Sequence, residues 1–361
     1  MPAKPQRLFD MTHVLSAISL LLVFVVFSVG TTNYGVLGVA LLFLGVAVMT
    51  AVHHAEIIAL RVGPSLGALI LALSITVIEV GLIVSLMSND SDTSAVVARD
   101  TVFAAVIIVT NGIVGVCLLL GGLRYRELGF HLQGANSLLA VLAVLSGLTL
   151  VLPNYTTSTS DATYTVGQLI FASVAALSLY GALVWFQTKT HRDYFEPEAP
   201  ADAESSHLPS AHAATISFIA LVVSLVAVIG LAKSLSPAIE SGIAAIGAPK
   251  AAVGIVIAIL VLLPETWASI SAARANQLQT SLNLALGSGA ASIALTIPVV
   301  SVYSILTERQ LTLGLDGKGT AFLLLTFITG GLTLGTGRTT ALQGAVHLVI
   351  LAAFIVMSLI P

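Results

Sequence analysis

The sequence predicts an all-α, polytopic membrane protein of about eleven transmembrane helices, built as one N-terminal helix followed by two inverted five-helix repeats. Three observations predict this. First, 57% of the 361 residues are hydrophobic and only 9% are charged, whereas a soluble domain carries roughly 25% charged residues. Second, the apolar residues fall in charge-free runs of about 18 to 25, the length that crosses about 30 Å of hydrocarbon as a helix. Third, the order of features ahead of a polar central stretch recurs behind it. The runs are continuously apolar rather than alternating, which excludes a membrane β-barrel.

The elements follow in order. Residues 1–33 start basic, with Lys4 and Arg7, and pass into an apolar run over 13–30. That run is longer than the signal-peptide core of about 7 to 15 residues, so it reads as an uncleaved first span. Runs at 35–60, 65–88, 101–122, 136–152 and 166–187 make a first five-helix repeat over 34–187. The only long polar connection spans 188–212 and holds Asp193, Glu196, Glu198, Asp202 and Glu204 against Lys189 and Arg192. It reads as an acidic cytoplasmic linker, either a solvated tether or a patch that gathers cations. Runs at 214–233, 248–273, 279–304, 319–336 and 340–360 make a second five-helix repeat over 213–361.

Within the repeats, "HHAEIIALRVG" ahead of Glu79 is echoed by "SPAIESGIAAIG" ahead of Glu265. Glu56 precedes Glu79 by 23 residues and Glu240 precedes Glu265 by 25. Five spans per copy is an odd number, so the second copy enters the membrane upside down. This is the plan of secondary transporters, whose site lies near the bilayer midplane where the repeats meet.

Basic residues in the loops orient the chain. With the N-terminus cytoplasmic, nine face the cytosol (Lys4, Arg7, Arg61, Arg124, Arg126, Lys189, Arg192, Arg274, Arg338) and five face out (Arg99, Lys233, Lys250, Arg309, Lys318). An eleven-span chain then ends outside, at Pro361. The net charge of −3 and the absence of a basic tract argue against a nucleic-acid partner. The partners implied are inorganic cations, protons and the lipid bilayer, with monomer or homo-oligomer left open. Cys117 is the single cysteine, which rules out an intrachain disulfide.

The candidate site rests on two carboxylates. Glu265 lies about 14 Å along a helix from Arg274 and Glu79 about 16 Å from Asp90, which puts both near the bilayer centre. A charge there costs at least about 2.5–3.5 kcal/mol, so an intramembrane acid is a functional candidate by default. Pro264 directly precedes Glu265 and denies the Leu260 carbonyl its helical partner. Thr76 lies one turn before Glu79, and Ser288 and Ser292 stand four apart among small residues; "VTNGIVG" in the first half adds Asn111. Carboxylates with hydroxyl and amide oxygens suit a hard cation such as Ca2+, not zinc or copper. Glu56 and Glu240, near span ends, read as snorkelling surface acids or as vestibules that feed the site. His53, His54 and His347 read as interfacial or buried neutral histidines. No nucleophile–base set, HExxH motif or aspartate cluster suggests an enzyme, and no cofactor is implied beyond the transported ions.

The stretches "LILALSITVIEVGLIVSLM" and "IAILVLLPETWASISAARANQLQTSLNLALGSGAASIALTIP" resemble the two α-repeats of calcium/proton antiporters in the calcium:cation antiporter superfamily, most closely the bacterial ChaA-type branch. The resemblance implies that Glu79 and Glu265 are the paired ion-binding acids, in a bacterial inner membrane, and that a cation leaves the cytosol as protons enter. The chain departs from the family at three positions. Thr76 and Leu262 stand where an Asn precedes each acid, and Thr266 where a His often follows the second. A site loosened in this way would admit Na+ or K+, so a Na+(K+)/H+ antiporter is the first alternative, with a cation channel and a membrane-embedded enzyme behind it.

Overall fold

The computed structural model describes residues 4–30, 33–62, 64–88, 95–159, 161–195, 209–245, 247, 249 and 252–360. Its helices are α1 (Lys4–Val29), α2 (Tyr34–Val62), α3 (Pro64–Met87), α4 (Val97–Ile107), α5 (Val114–Tyr125), α6 (Leu132–Ser146), α7 (Val166–Trp185), α8 (Ala211–Ala245), α9 (Ala252–Arg274), α10 (Leu278–Thr307), α11 (Gly317–Leu334) and α12 (Ala341–Leu359). A π-helical turn, Ile108–Ile113, joins α4 to α5 without a break, so the described residues form eleven helical rods. Ten of them are long and apolar enough to cross a membrane by their described residues, and α3 adds the apolar segment Leu73–Met87. The eleven-helix expectation holds. Much of the 188–212 stretch, residues 196–208, lies outside the described residues.

Two boundaries differ from expectation. The helix read as 214–233 runs through α8 to Ala245, carrying Pro237 inside it. Lys233, Ser234 and Pro237 look like a terminus in one dimension, yet a helix packed against neighbours can continue past a proline. At the other side, α7 does not stop at 187 but continues in a π turn, Phe186–Thr190, and a 3-10 turn, Arg192–Tyr194. A short antiparallel ribbon of β1 (Glu127–Gly129) and β2 (Arg338–Thr340) also forms, with Leu128 opposite Thr339. Hydropathy gave no sign of it, because three residues are too few to set a pattern.

The chain divides into two compact units, each drawing helices from both sides of the central polar stretch: residues 1–89 with 204–247, and residues 90–203 with 248–361. In the first unit α8 packs along α1, α2 and α3. Small residues set the approach. A Cβ on Gly81 would stand 2.7 Å from Ile229, and one on Gly230 would stand 2.6 Å from Val23. A hydroxyl chain pins the same helices: Ser224 Oγ donates to Ser16 Oγ (2.8 Å), Thr50 Oγ1 lies 3.2 Å from Ser224 Oγ, and Ser16 Oγ lies 3.5 Å from His54 Nε2.

In the second unit α9 packs on α4, α5 and α10, while α10 also meets α6 and α7. Gly254 lets α9 close on α4, since a Cβ there would be 2.8 Å from the backbone at Asp100 and Thr101. Gly344 of α12 lies against the backbones of Leu119 and Gly115 on α5. Close approach of small residues drives helix association where lipid removes the hydrophobic force. Apolar side chains also face outward, among them Phe171 at 66%, Leu332 at 75% and Leu342 at 74% exposed. Such surfaces suit acyl chains rather than water. The chain is an integral membrane protein.

Candidate functional site

In the second unit, α9 and α10 form a hairpin that carries three of the candidate residues, Glu265, Ser288 and Ser292. After Arg274 the chain reverses in three residues, with Asn276 in the left-handed region (φ 59°) that asparagine tolerates better than most residues. Gln277 N donates to Ala272 O (2.9 Å), closing the end of α9. Glu265 lies nine residues before Arg274 and Ser288 ten after Leu278. These offsets are about 14 and 15 Å along the two arms, so both side chains sit at one depth. Ser288 Oγ donates to Glu265 Oε1 at 3.1 Å, and Glu265 is only 6% exposed. Ser292, one turn on, is 3% exposed.

Pro264 is buried inside α9, which runs through it without a break. The Leu260 carbonyl has no N–H at residue 264 to accept from. Two residues on, the Leu262 carbonyl accepts from Thr266 Oγ1 (2.6 Å). The Thr266 hydroxyl is therefore spent on its own helix.

The motif "NQLQTSLNLALG" has a bracing role along α10. Gln279 Oε1 accepts from His131 N (2.8 Å), Gln279 Nε2 donates to Asn283 Oδ1 (2.8 Å), and Asn283 Nδ2 donates to Phe195 O (2.5 Å). Two amides four residues apart thus fasten the starts of α6 and of the polar stretch to the helix that carries Ser288.

The other candidates are distributed as follows. Glu79 and Thr76 lie in α3, in the first unit, and each is 4% exposed. Asn111 is fully buried in the π turn of the second unit, but its polar atoms go to α11 and α12: Nδ2 donates to Thr326 Oγ1 (2.8 Å), and Oδ1 lies 3.0 Å from His347 Nδ1. The neighbouring Thr110 is buried with its hydroxyl unpartnered among the described residues, as is Ser269, one turn after Glu265. Glu56 is exposed in α2. The side chain of Glu240, in α8, lies outside the described residues. Sequence reasoning missed that Asn111 and His347 meet. The signal available was an imidazole alone in the last apolar run.

Among the described residues no three of His, Cys, Asp and Glu converge as a metal cage. What the hairpin offers is a carboxylate with hydroxyls in an apolar wall. That set suits reversible binding of a hard cation or a proton.

The sodium/calcium exchanger protein family matches residues 32–189 and 216–360. y4hA of Sinorhizobium fredii is 48% identical over 320 residues, 87% of this chain and 86% of its own length. The sodium-potassium/proton antiporter ChaA of Escherichia coli is 34% identical over 310 residues, 85% of this chain and 84% of its own. Among solved structures, native YfkE superposes with TM-score 0.71 at 17% identity, covering 97% of this chain and 100% of that one. The H+/Ca2+ exchanger CAX gives TM-score 0.69 at 14% identity, covering 99% and 93%. The helical architecture is shared with both, and the chain belongs to the sodium/calcium exchanger family, in its ChaA-type branch, as a membrane cation exchanger and not an enzyme.

Proposed function

We propose that the chain exchanges Ca2+ from the cytosol for protons by alternating access, with Glu79 and Glu265 as the groups that both cargoes share. The observation that carries this reading is the buried Glu265–Ser288 pair at matched depth on the α9–α10 hairpin, together with a second buried glutamate, Glu79, in the other repeat. Two ionised carboxylates facing each other in a low dielectric raise each other's proton affinity, and burial raises both. The bare site therefore does not persist. One Ca2+ neutralises the pair, and so do two protons. Only those neutral forms cross cheaply between inward- and outward-facing states, so exchange is obligatory, with two protons per Ca2+ as the minimum.

Thr76, Ser288, Ser292 and Asn111 supply neutral oxygen in this reading, and Glu56 and Glu240 act as acidic mouths. Asn111 would ligate through its remaining lone pair or by releasing one of its partners. The transported ions are the only cofactors invoked. The chain would sit in a bacterial plasma membrane with its N-terminus and residues 188–212 cytoplasmic. A second reading, Na+(K+)/H+ exchange at the same site, is favoured by Thr76 and Leu262 in place of asparagine and by the similarity to a sodium-potassium/proton antiporter.

Proton flux in proteoliposomes decides between them when Ca2+, Na+, K+ or Mg2+ is added in turn. A divalent ion neutralises both acids at once, whereas one monovalent ion leaves a buried charge. Ca2+ should drive the largest flux at the lowest concentration, and Mg2+ should be poor because it gives up its water reluctantly. Flux with Na+ or K+ and none with Ca2+ establishes the second reading. Flux that continues without a counter-ion defeats both, since it describes a channel.

A further inference from the structure

The exchange reading uses no imidazole, yet His347 is fully buried in α12 with both ring nitrogens engaged. Nδ1 stands 3.0 Å from Asn111 Oδ1, and Nε2 stands 3.2 Å from Thr333 Oγ1. Asn111 Nδ2 in turn donates to Thr326 Oγ1 at 2.8 Å. The assigned orientation of the Asn111 amide, oxygen toward the histidine, puts the imidazole proton on Nδ1 and lets Nε2 accept from the Thr333 hydroxyl. The neutral ring is thereby fully satisfied. Four side chains, drawn from positions as far apart as 111 and 347, fasten the π turn Ile108–Ile113 to α11 and α12.

The π turn makes that fastening consequential. Such turns are rare insertions in α-helices and are frequent at functional sites. Here the neighbours of the turn are divided. Val109 faces α10, where a Cβ on Gly289 would stand 3.3 Å from its Cγ1. Gly289 directly follows Ser288. On another side, a Cβ on Gly112 would stand 3.2 Å from Leu351, and one on Gly115 would stand 3.0 Å from the His347 Cβ. Both partners belong to α12. One flank of the turn therefore lies beside the residue that follows Ser288, and another is held by the helix that carries His347. Returning the turn to α geometry would rotate Asn111 away from His347 and slide Val109 along Gly289. The Asn111–His347 contact and the Val109–Gly289 packing thus belong to one and the same backbone register.

We propose that His347 is a positioning residue for cation binding: its Nδ1 contact with Asn111 holds the 108–113 π turn in the register that supports the Glu265–Ser288 pair. The transport consequence rests on the exchange reading, whereas the structural consequence does not. Two substitutions separate the two ring contacts. In His347→Asn the amide nitrogen falls near the place of Nδ1 and keeps the bond to Asn111. In His347→Gln it falls near the place of Nε2 and keeps only the bond to Thr333.

Loss of an orienting partner typically lowers metal affinity by about 10–100-fold. His347→Gln should therefore raise the cation KM by at least about tenfold at little change in maximal rate, while His347→Asn stays within about threefold of the parent. Hydrogen exchange at the backbone amides of 108–114 should speed up in His347→Gln and remain slow in His347→Asn. The proposal is overturned if the two variants behave alike in hydrogen exchange, or if His347→Asn is the one that loses protection or affinity. Should the parent protein show no cation–proton exchange at all, the proposed function fails, and the hydrogen-exchange contrast still decides the role of His347.

Discussion

Replacing Ser288 with alanine removes the hydrogen bond that its hydroxyl makes to Glu265. The hydroxyl donates to Oε1 at 3.1 Å inside a wall of small buried residues, Gly289, Ala290 and Ala291 among them. A hydrogen bond to a charged acceptor contributes about 1.5–3 kcal/mol and one to a neutral acceptor about 1 kcal/mol. The difference, about 1 kcal/mol, is what favours the ionised, cation-binding form over the protonated one, and it corresponds to about fivefold in an equilibrium constant. If Ser288 Oγ also touches the ion, the whole contribution is lost and the effect grows to about tenfold or more. Ser288→Ala should thus raise the apparent KM for the cation by about five- to tenfold, and the loss should widen at lower pH, where protons compete harder. Ser288→Thr keeps the donor and should stay close to the parent. The assay is proton flux in proteoliposomes against cation concentration, at two pH values. A Ser288→Ala protein within twofold of the parent at both pH values, with folding verified by thermal unfolding, would refute the claim that this bond tunes Glu265.

Glu79→Gln and Glu265→Gln should each abolish exchange while leaving the thermal transition in place, because an amide cannot alternate between cation and proton. Glu56→Gln should change only apparent affinity. Gly344→Ala should destabilise the protein, since the new Cβ meets the backbone of α5 where neither helix can yield; a thermal midpoint in detergent equal to that of the parent would contradict the close α5–α12 contact. Because Cys117 is buried and so shielded from a labelling reagent, cysteines placed within 188–212 and at position 361 should label from opposite sides of the membrane. Tyr164 lies between α6 and α7, donates to Leu148 O at 2.6 Å, and is held by burial above the usual phenol range. Because its folded value is the higher one, its contribution to stability is complete below pH 10 and is lost as pH rises through the folded value. Tyr164→Phe should flatten that alkaline decline in the thermal midpoint.

The sequence by itself determined which segments are long and apolar enough to cross the membrane and which acids lie within them. Both are local, additive properties: transfer of apolar side chains into hydrocarbon, and the penalty for a charge placed there. Hence the eleven helices could be read from the run of apolar residues, and the burial of Glu79 and Glu265 from their places within those runs. Helix ends were harder. Proline and lysine in 233–237 resemble a terminus, and only the packing of α8 against three neighbours shows why the helix continues to Ala245. Side-chain partners were the least accessible. Asn111 looks like an oxygen ligand on its own, but the tertiary structure gives its oxygen to His347, 236 residues away, and its nitrogen to Thr326. That pairing depends on the winding of one π turn and on glycines at 115 and 344 that let two helices touch. Register between packed helices is a property of pairs of surfaces, so a single chain of letters does not contain it until the helices meet.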